Sequence, residues 1–357
     1  MALIADAVPA ADLRRVLVTK LRHHGDVLLA APVFSTLQSA APQCEIDALV
    51  YADTAILLEG HPAIARIHTI DRDWKRQGPA RQAAAEWALL SALRSRRYDL
   101  VVHLSEHKRG AWLVRLLRPR WSVAPRQEAS WWRKSFSHLY PRVSHPQRHT
   151  VESNLDALRR IGIQPGEDRR VQLVPGAAAE QRVAELLAAN GLGERAFVHI
   201  HPTSRWLFKC WPAARVAQLA DALGERGLRV VFTAAPDARE KAMLGEITAA
   251  TRAPFVDLSG QLNLKELAAL TARARLFVGV DSAPMHIAAA MSTPSVALFG
   301  PSGEIEWGPW RTAHRIVVSD AHPCRPCGLD GCGGGKVSEC LTTLPVARVL
   351  AACDELL

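Results

Sequence analysis

Several features are scarce or missing in this chain. Its longest uninterrupted apolar run, Val27 to Phe34, has eight residues and contains Pro32, whereas a bilayer-spanning helix needs about 20. No transmembrane helix is expected. The opening MALIADAVPAADL lacks the basic start and apolar stretch of a secretory signal, so the expected location is the cytoplasm. Cysteines number seven; an odd count without a secretory start points away from a disulfide framework and toward reduced thiols or a metal site. After the first strand-like run comes one glycine, Gly25, where a dinucleotide fingerprint requires three, which disfavours a dehydrogenase.

What is present is ordinary globular material. The apolar share is 48% and the charged share 22%, close to soluble averages. With 357 residues the chain exceeds the roughly 250–300 at which single cores stop growing, so two domains are expected.

Positive charge is concentrated. Between His107 and His149 ten Lys and Arg, among them Arg118, Arg126 and Arg133, stand against the single acid Glu128, a local +9 that equals the net charge of the whole chain. Trp112, Trp121, Trp131 and Trp132 lie in the same stretch. An aromatic and basic surface suits an anionic partner with an apolar portion, such as a phosphorylated lipid headgroup. The competing readings are a nucleic acid, or solvated helix faces with core tryptophans. No helix-turn-helix, zinc-finger or aromatic RNA-binding signature accompanies the charge.

Strand-like runs at Arg15 to Lys20, Glu45 to Tyr51, Arg66 to Ile70, Asp99 to Leu104 and Trp121 to Ala124 alternate with helical stretches such as Ala80 to Arg96 and Val151 to Ile161. A stretch punctuated by Gly162, Pro165, Gly166, Pro175 and Gly176 reads as a linker. The scheme then repeats, with strands at Ala196 to Ile200, Arg229 to Thr233, Phe255 to Asp257, Leu276 to Val280 and Ser295 to Phe299. The expected fold is α/β: two parallel-sheet domains, 1–170 and 171–357, facing across a cleft lined by loops at the carboxyl ends of the strands. A last helix, 346–357, could pack on either domain.

Three loops carry candidate chemistry. Lys20-Leu-Arg-His-His-Gly25-Asp26 places a carboxylate at a helix start, where Asp26 either complements the helix N-terminus or serves as a general base. His201-Pro-Thr-Ser-Arg-Trp-Leu-Phe-Lys209-Cys-Trp-Pro212 offers the hydroxyls of Thr203 and Ser204 and the cation of Lys209, in the manner of a phosphate-binding loop or an ordinary polar connection. In Leu276-Phe-Val-Gly-Val280-Asp281-Ser-Ala-Pro-Met-His286 a buried strand runs into a helix of small residues, whose backbone N–H groups and dipole suit a pyrophosphate.

R-x-x-G-D-V after the first strand, H-P-T-S with a downstream K-x-W-P, and V-D-S-A-P-M-H-I-A-A-A followed by Pro294-Ser-Val-Ala-Leu-Phe-Gly-Pro301 together resemble the ADP-heptose:lipopolysaccharide heptosyltransferases of glycosyltransferase family 9, heptosyltransferase III-like members included. The resemblance implies a GT-B architecture of two Rossmann-like domains, the first binding acceptor and the second ADP-heptose. It also implies that Asp26 is the catalytic base and that Thr203, Ser204, Lys209, Asp281, Ser282, Ala283 and His286 hold the donor. An acidic residue that contacts the ribose is either Asp237 or Glu240. The family's usual Thr-Gly after the aspartate is Ser282-Ala283 here.

Further implied are an inverting transfer of heptose to the lipopolysaccharide inner core, no required cofactor, and peripheral contact of Arg118, Arg126 and Arg133 with the anionic cytoplasmic face of the inner membrane, without nucleic acid. The alternatives are a GT-B enzyme using another nucleotide sugar and a basic nucleic-acid-binding protein. The spacing Cys324-x2-Cys327-x4-Cys332-x7-Cys340 contains one zinc-like knuckle, which leaves a structural zinc as an option beside free thiols.

Overall fold

The structure, a computed structural model, describes residues 6–141 and 148–357. The chain divides after Val174 into two compact units. In the first, the strands are β1 (Arg15–Thr19), β2 (Glu45–Tyr51), β3 (Arg66–Ile70), β4 (Leu100–His103), β5 (Trp121–Pro125) and β6 (His138–Tyr140). They form one sheet in the order β3-β2-β1-β4-β5-β6, and every neighbouring pair is parallel. Val16, Leu17 and Val18 are fully buried between helices on the two faces, as the apolar β-branched run of a doubly covered strand requires.

The second unit repeats this plan with β7 (Phe197–His201), β8 (Arg229–Phe232), β9 (Phe255–Asp257), β10 (Leu276–Val280), β11 (Ser295–Leu298) and β12 (His314–Val317). Their order is β12-β11-β10-β7-β8-β9, again parallel throughout. Strand order reverses between β1 and β4 in one sheet and between β10 and β7 in the other. In a doubly wound sheet the crevice outside these switch points is where ligands bind.

Two local outcomes differ from the sequence reading, and one that it left open is resolved. The helical pattern after Gly25 is two helices, His24–Leu28 and Ala31–Ala40, with Pro32 in the opening turn of the second, the place where its missing N–H costs least. The sequence reading has no counterpart for the edge strands β6 and β12, which are three and four residues long. The last helix, Val346–Asp354, belongs to the second unit, where Val349, Ala352 and Cys353 join the core of β10, β11 and helix Ala213–Glu225.

Candidate active site

The loop after β1 sets the first group of candidates. Asp26 lies in the first turn of helix His24–Leu28, but the N-cap is His23 and no side chain caps this helix. The Asp26 carboxylate instead accepts a hydrogen bond from Arg22 Nε at 3.4 Å. The capping reading thus loses its hydrogen bond, and only the favourable dipole remains.

Beneath this turn is a residue that the motif reading passed over. Lys20 is buried and donates to the Leu104 carbonyl at 3.1 Å and to Asn154 Oδ1 at 2.9 Å. Asn154 in turn donates to the Leu29 carbonyl at 3.0 Å. Burial pulls the Lys20 ammonium down to about 8, and the nearby negative charge of Asp26 opposes that pull. The available sequence signal was a lone lysine closing an apolar strand.

In the second unit the loops after β7 and β10 converge. Thr203, wholly buried, donates through Oγ1 to Glu240 Oε2 at 2.7 Å, and the Ala235 amide reaches the same oxygen at 3.4 Å. Asp237 has a different task. It is the N-cap of helix Ala238–Ala250, accepting from the amides of Arg239 at 2.9 Å and Glu240 at 3.4 Å. Of the two acidic candidates, Asp237 is thus committed to a helix end while Glu240 is turned inward beside Thr203. Ser204 is buried and accepts from the Trp206 amide at 3.3 Å, so its hydroxyl also shapes the loop.

Lys209 does not stand as an isolated cation: its Nζ donates to Asp281 Oδ2 at 2.6 Å. Asp281 directly follows β10, and the next residue, Ser282, is the N-cap of helix Ala283–Ala290. Ser282 makes no side-chain cap hydrogen bond to that helix; its Oγ turns back to the Val280 carbonyl at 3.4 Å. The first N–H groups of a helix have no intrahelical partner, so this uncapped start has amides to offer an anion. His286, on the same helix, is buried with its ring 6.4 Å from that of Trp307.

The basic segment is rearranged relative to its reading as one surface. Arg118 follows helix Lys108–Leu117 and precedes β5, at the amino edge of the first sheet, whereas Arg126 follows β5 at the carboxyl edge, with Arg133 on the helix Ser130–Arg133 just beyond. A strand of five residues separates Arg118 from Arg126, roughly 16 Å at about 3.3 Å per residue. All three arginines are exposed. Trp132 is core, its ring tilted against those of Phe136 and His103, so it does not belong to an aromatic surface, whereas Trp112 is 58% exposed. Arg142, part of the charge count, lies outside the described residues.

The four cysteines of the zinc option fall on two neighbouring elements, and burial together with the charges of the other three raises the Cys340 thiol. Cys324, Cys327 and Cys332 are exposed on a loop while Cys340 is buried on the short helix Glu339–Thr342. Among the described residues no group of three or more His, Cys, Asp or Glu is arranged to hold a metal ion. Within the loop the Cys332 amide donates to the Val337 carbonyl at 2.7 Å, and Lys336 pairs with Asp330 at 2.5 Å.

The sequence matches the family described as Glycosyltransferase family 9 (heptosyltransferase) over residues 86–337. It is 37% identical over 341 residues to lipopolysaccharide heptosyltransferase 3 of Escherichia coli, spanning 94% of this chain and 97% of that protein. The chain belongs to glycosyltransferase family 9. As a family 9 heptosyltransferase it has the expected fold. The glycosyl transferase family 9 structure from Veillonella parvula DSM 2008 superposes with a TM-score of 0.84 at 22% identity, covering 99% of both chains. The E. coli heptosyltransferase WaaC with ADP-2-deoxy-2-fluoro heptose superposes at 0.72 and 20% identity, covering 96% of this chain and 99% of that one. The architecture is GT-B, with two Rossmann-like units. Among the described residues no helix is long and apolar enough to cross a membrane.

Proposed function

We propose that this family 9 heptosyltransferase moves an L-glycero-D-manno-heptosyl group from ADP-heptose to the lipopolysaccharide inner core, inverting the anomeric centre. The 37% likeness to a lipopolysaccharide heptosyltransferase supports the acceptor class, and the ADP-2-deoxy-2-fluoro heptose in the WaaC structure supports the donor.

In this reading the second unit takes the donor. The diphosphate meets the uncapped helix start at Ser282 and Ala283, with Lys209 beside it. Glu240, oriented by Thr203, accepts hydrogen bonds from the ribose hydroxyls, and His286 lines the same end of the helix. The first unit takes the acceptor. Asp26 accepts the proton of the acceptor hydroxyl as the anomeric carbon gains positive character, and the C–O bond to ADP breaks on the opposite side. Lys209 and the helix amides stabilise the charge that develops on the departing ADP; such groups act most strongly where water is excluded. Lys20 holds the loop behind Asp26 through its bonds to Leu104 and Asn154. The part of the basic segment carried by helix Lys108–Leu117 faces the anionic cytoplasmic surface of the inner membrane, while Arg126 and Arg133 flank the acceptor.

The observation that carries the reading is the convergence of Lys209, Asp281 and the uncapped start of Ala283–Ala290 at the switch between β7 and β10. The test is ADP release from ADP-heptose by the purified protein against a panel of truncated lipopolysaccharides. Turnover with ADP-heptose and one truncation is expected. Turnover with a UDP- or GDP-sugar in its place would overturn the donor assignment.

A further inference from the structure

Helix Pro79–Ser95 has 17 residues, of which Leu93 alone is buried. A helix in a globular unit normally hides an apolar stripe and shows a polar face. This one shows little polarity: alanines and Trp87, 68% exposed, occupy most of its outer side. Beside it runs helix Lys108–Leu117, which presents Trp112, 58% exposed, and Leu116, 42% exposed. Between the two helices lies a groove of about 520 Å³ lined by Trp87, Leu90, Arg109, Trp112, Leu113 and Leu116. Large aromatic side chains grouped in water on one face mark an interaction site.

The charge on the two helices is mostly positive. The two helices carry five basic residues, Arg81, Arg94, Lys108, Arg109 and Arg115, against one acid, Glu86, and Glu86 is tied to Arg109. Tryptophans framed by Lys and Arg are the composition that settles at the boundary between headgroups and acyl chains of an anionic bilayer. Here the arginines flank the apolar residues along both helices. This placement differs from that of Arg126 and Arg133, which lie at the carboxyl edge of the sheet.

We infer that the face formed by helices Pro79–Ser95 and Lys108–Leu117 inserts Trp87, Trp112 and Leu116 into the surface of an anionic bilayer. The inference rests on the proposed membrane-facing role of the basic segment and adds the apolar anchors that would hold the enzyme there. Charge alone gives salt-sensitive attraction. Shallow insertion of two indoles adds a part that salt does not screen.

The test uses the full-length protein and vesicles of phosphatidylglycerol and phosphatidylcholine, with pure phosphatidylcholine as the uncharged control. Wild-type protein is expected to sediment with the anionic vesicles and to lose part of its tryptophan emission when the acyl chains are brominated. The variant W87S/W112S should bind about ten-fold more weakly, whereas W87F/W112F should stay bound but lose the bromine quenching. Turnover on a lipid-free core oligosaccharide should be the same in all three. Unchanged vesicle binding of W87S/W112S overturns the inference, as does quenching that is undiminished in W87F/W112F. So does a wild-type dimer in solution that W87S/W112S abolishes, because the face would then belong to a second copy. Vesicle binding is read without turnover, so an absence of ADP-heptose activity in the wild type would strike the proposed function and leave this inference standing.

Discussion

Lys209 Nζ donates to Asp281 Oδ2 across 2.6 Å, tying the loop after β7 to the end of β10. Both side chains are largely buried, at 23% and 8% exposure, so the pair positions a cation beside the helix start with its charge already partnered. Lys209→Ala should lower kcat/KM for the donor by about 10²–10³-fold. It should also cost about 1–3 kcal/mol of stability by leaving the Asp281 charge without its partner. The double variant Lys209→Ala with Asp281→Asn should regain the melting temperature without regaining turnover. A double variant as unstable as Lys209→Ala would show that the pair adds nothing to the fold.

Glu240 and Asp237 separate by role. Asp237→Ala removes a helix cap and should lower stability by about 1 kcal/mol while leaving donor KM unchanged. Glu240→Gln should raise donor KM by about ten-fold, the size of one lost charged hydrogen bond. Measuring KM for ADP-heptose in both variants checks the assignment, and the opposite pattern would return the ribose to Asp237.

Because Arg118 sits at the far edge of the sheet from Arg126 and Arg133, the three should not act together on the acceptor. Arg126→Glu with Arg133→Glu should raise acceptor KM and make it less sensitive to salt, since exposed charges lose reach as the Debye length falls from about 10 Å at 0.1 M to about 3 Å at 1 M. Arg118→Glu alone should leave acceptor KM near wild type. Steady-state kinetics at two salt concentrations settle this, and equal effects from both substitutions would restore a single basic surface.

Three histidines give the fold an acid limit. Burial lowers His103 and His201 to about 3 and His199 well below its ordinary value. In the unfolded chain each takes up a proton near 6.5, so between about 6.5 and 3 the unfolded state binds more protons. Stability must then fall as pH falls, by up to about 1.4 kcal/mol per pH unit for each histidine. Urea midpoints at pH 7, 6 and 5 should decline steadily, and the decline should be shallower in His201→Gln. A midpoint independent of pH across this range would mean that these rings are not held neutral.

The alternation of strand and helix was legible because the central strands are short apolar runs closed by Gly or polar residues, as at Leu276–Val280. Of the four edge strands β3 and β9 were legible, whereas β6, three residues with a single aliphatic, and β12, which opens on His-Arg, offer too short an apolar run to read. The donor-side loops could be read from their residue types. The pairing of Lys209 with Asp281, 72 positions apart, and of Lys20 with Asn154, 134 apart, is a product of topology and leaves no local trace. The charge block between His107 and His149 misled in the other direction. Residues close in sequence were carried by a helix and a strand to opposite edges of one sheet.

The central claim is that Asp26 is the proton acceptor rather than a helix-end carboxylate, and kcat of Asp26→Asn measures it most directly. Asparagine keeps the size of the side chain and can still accept from Arg22, so the fold should melt as the wild type does. With ADP-heptose and a competent truncated lipopolysaccharide, kcat should drop by about 10²–10⁴-fold while donor KM changes little. A variant that turns over at near the wild-type rate would contradict the account and leave Asp26 as an ordinary residue of the first helical turn.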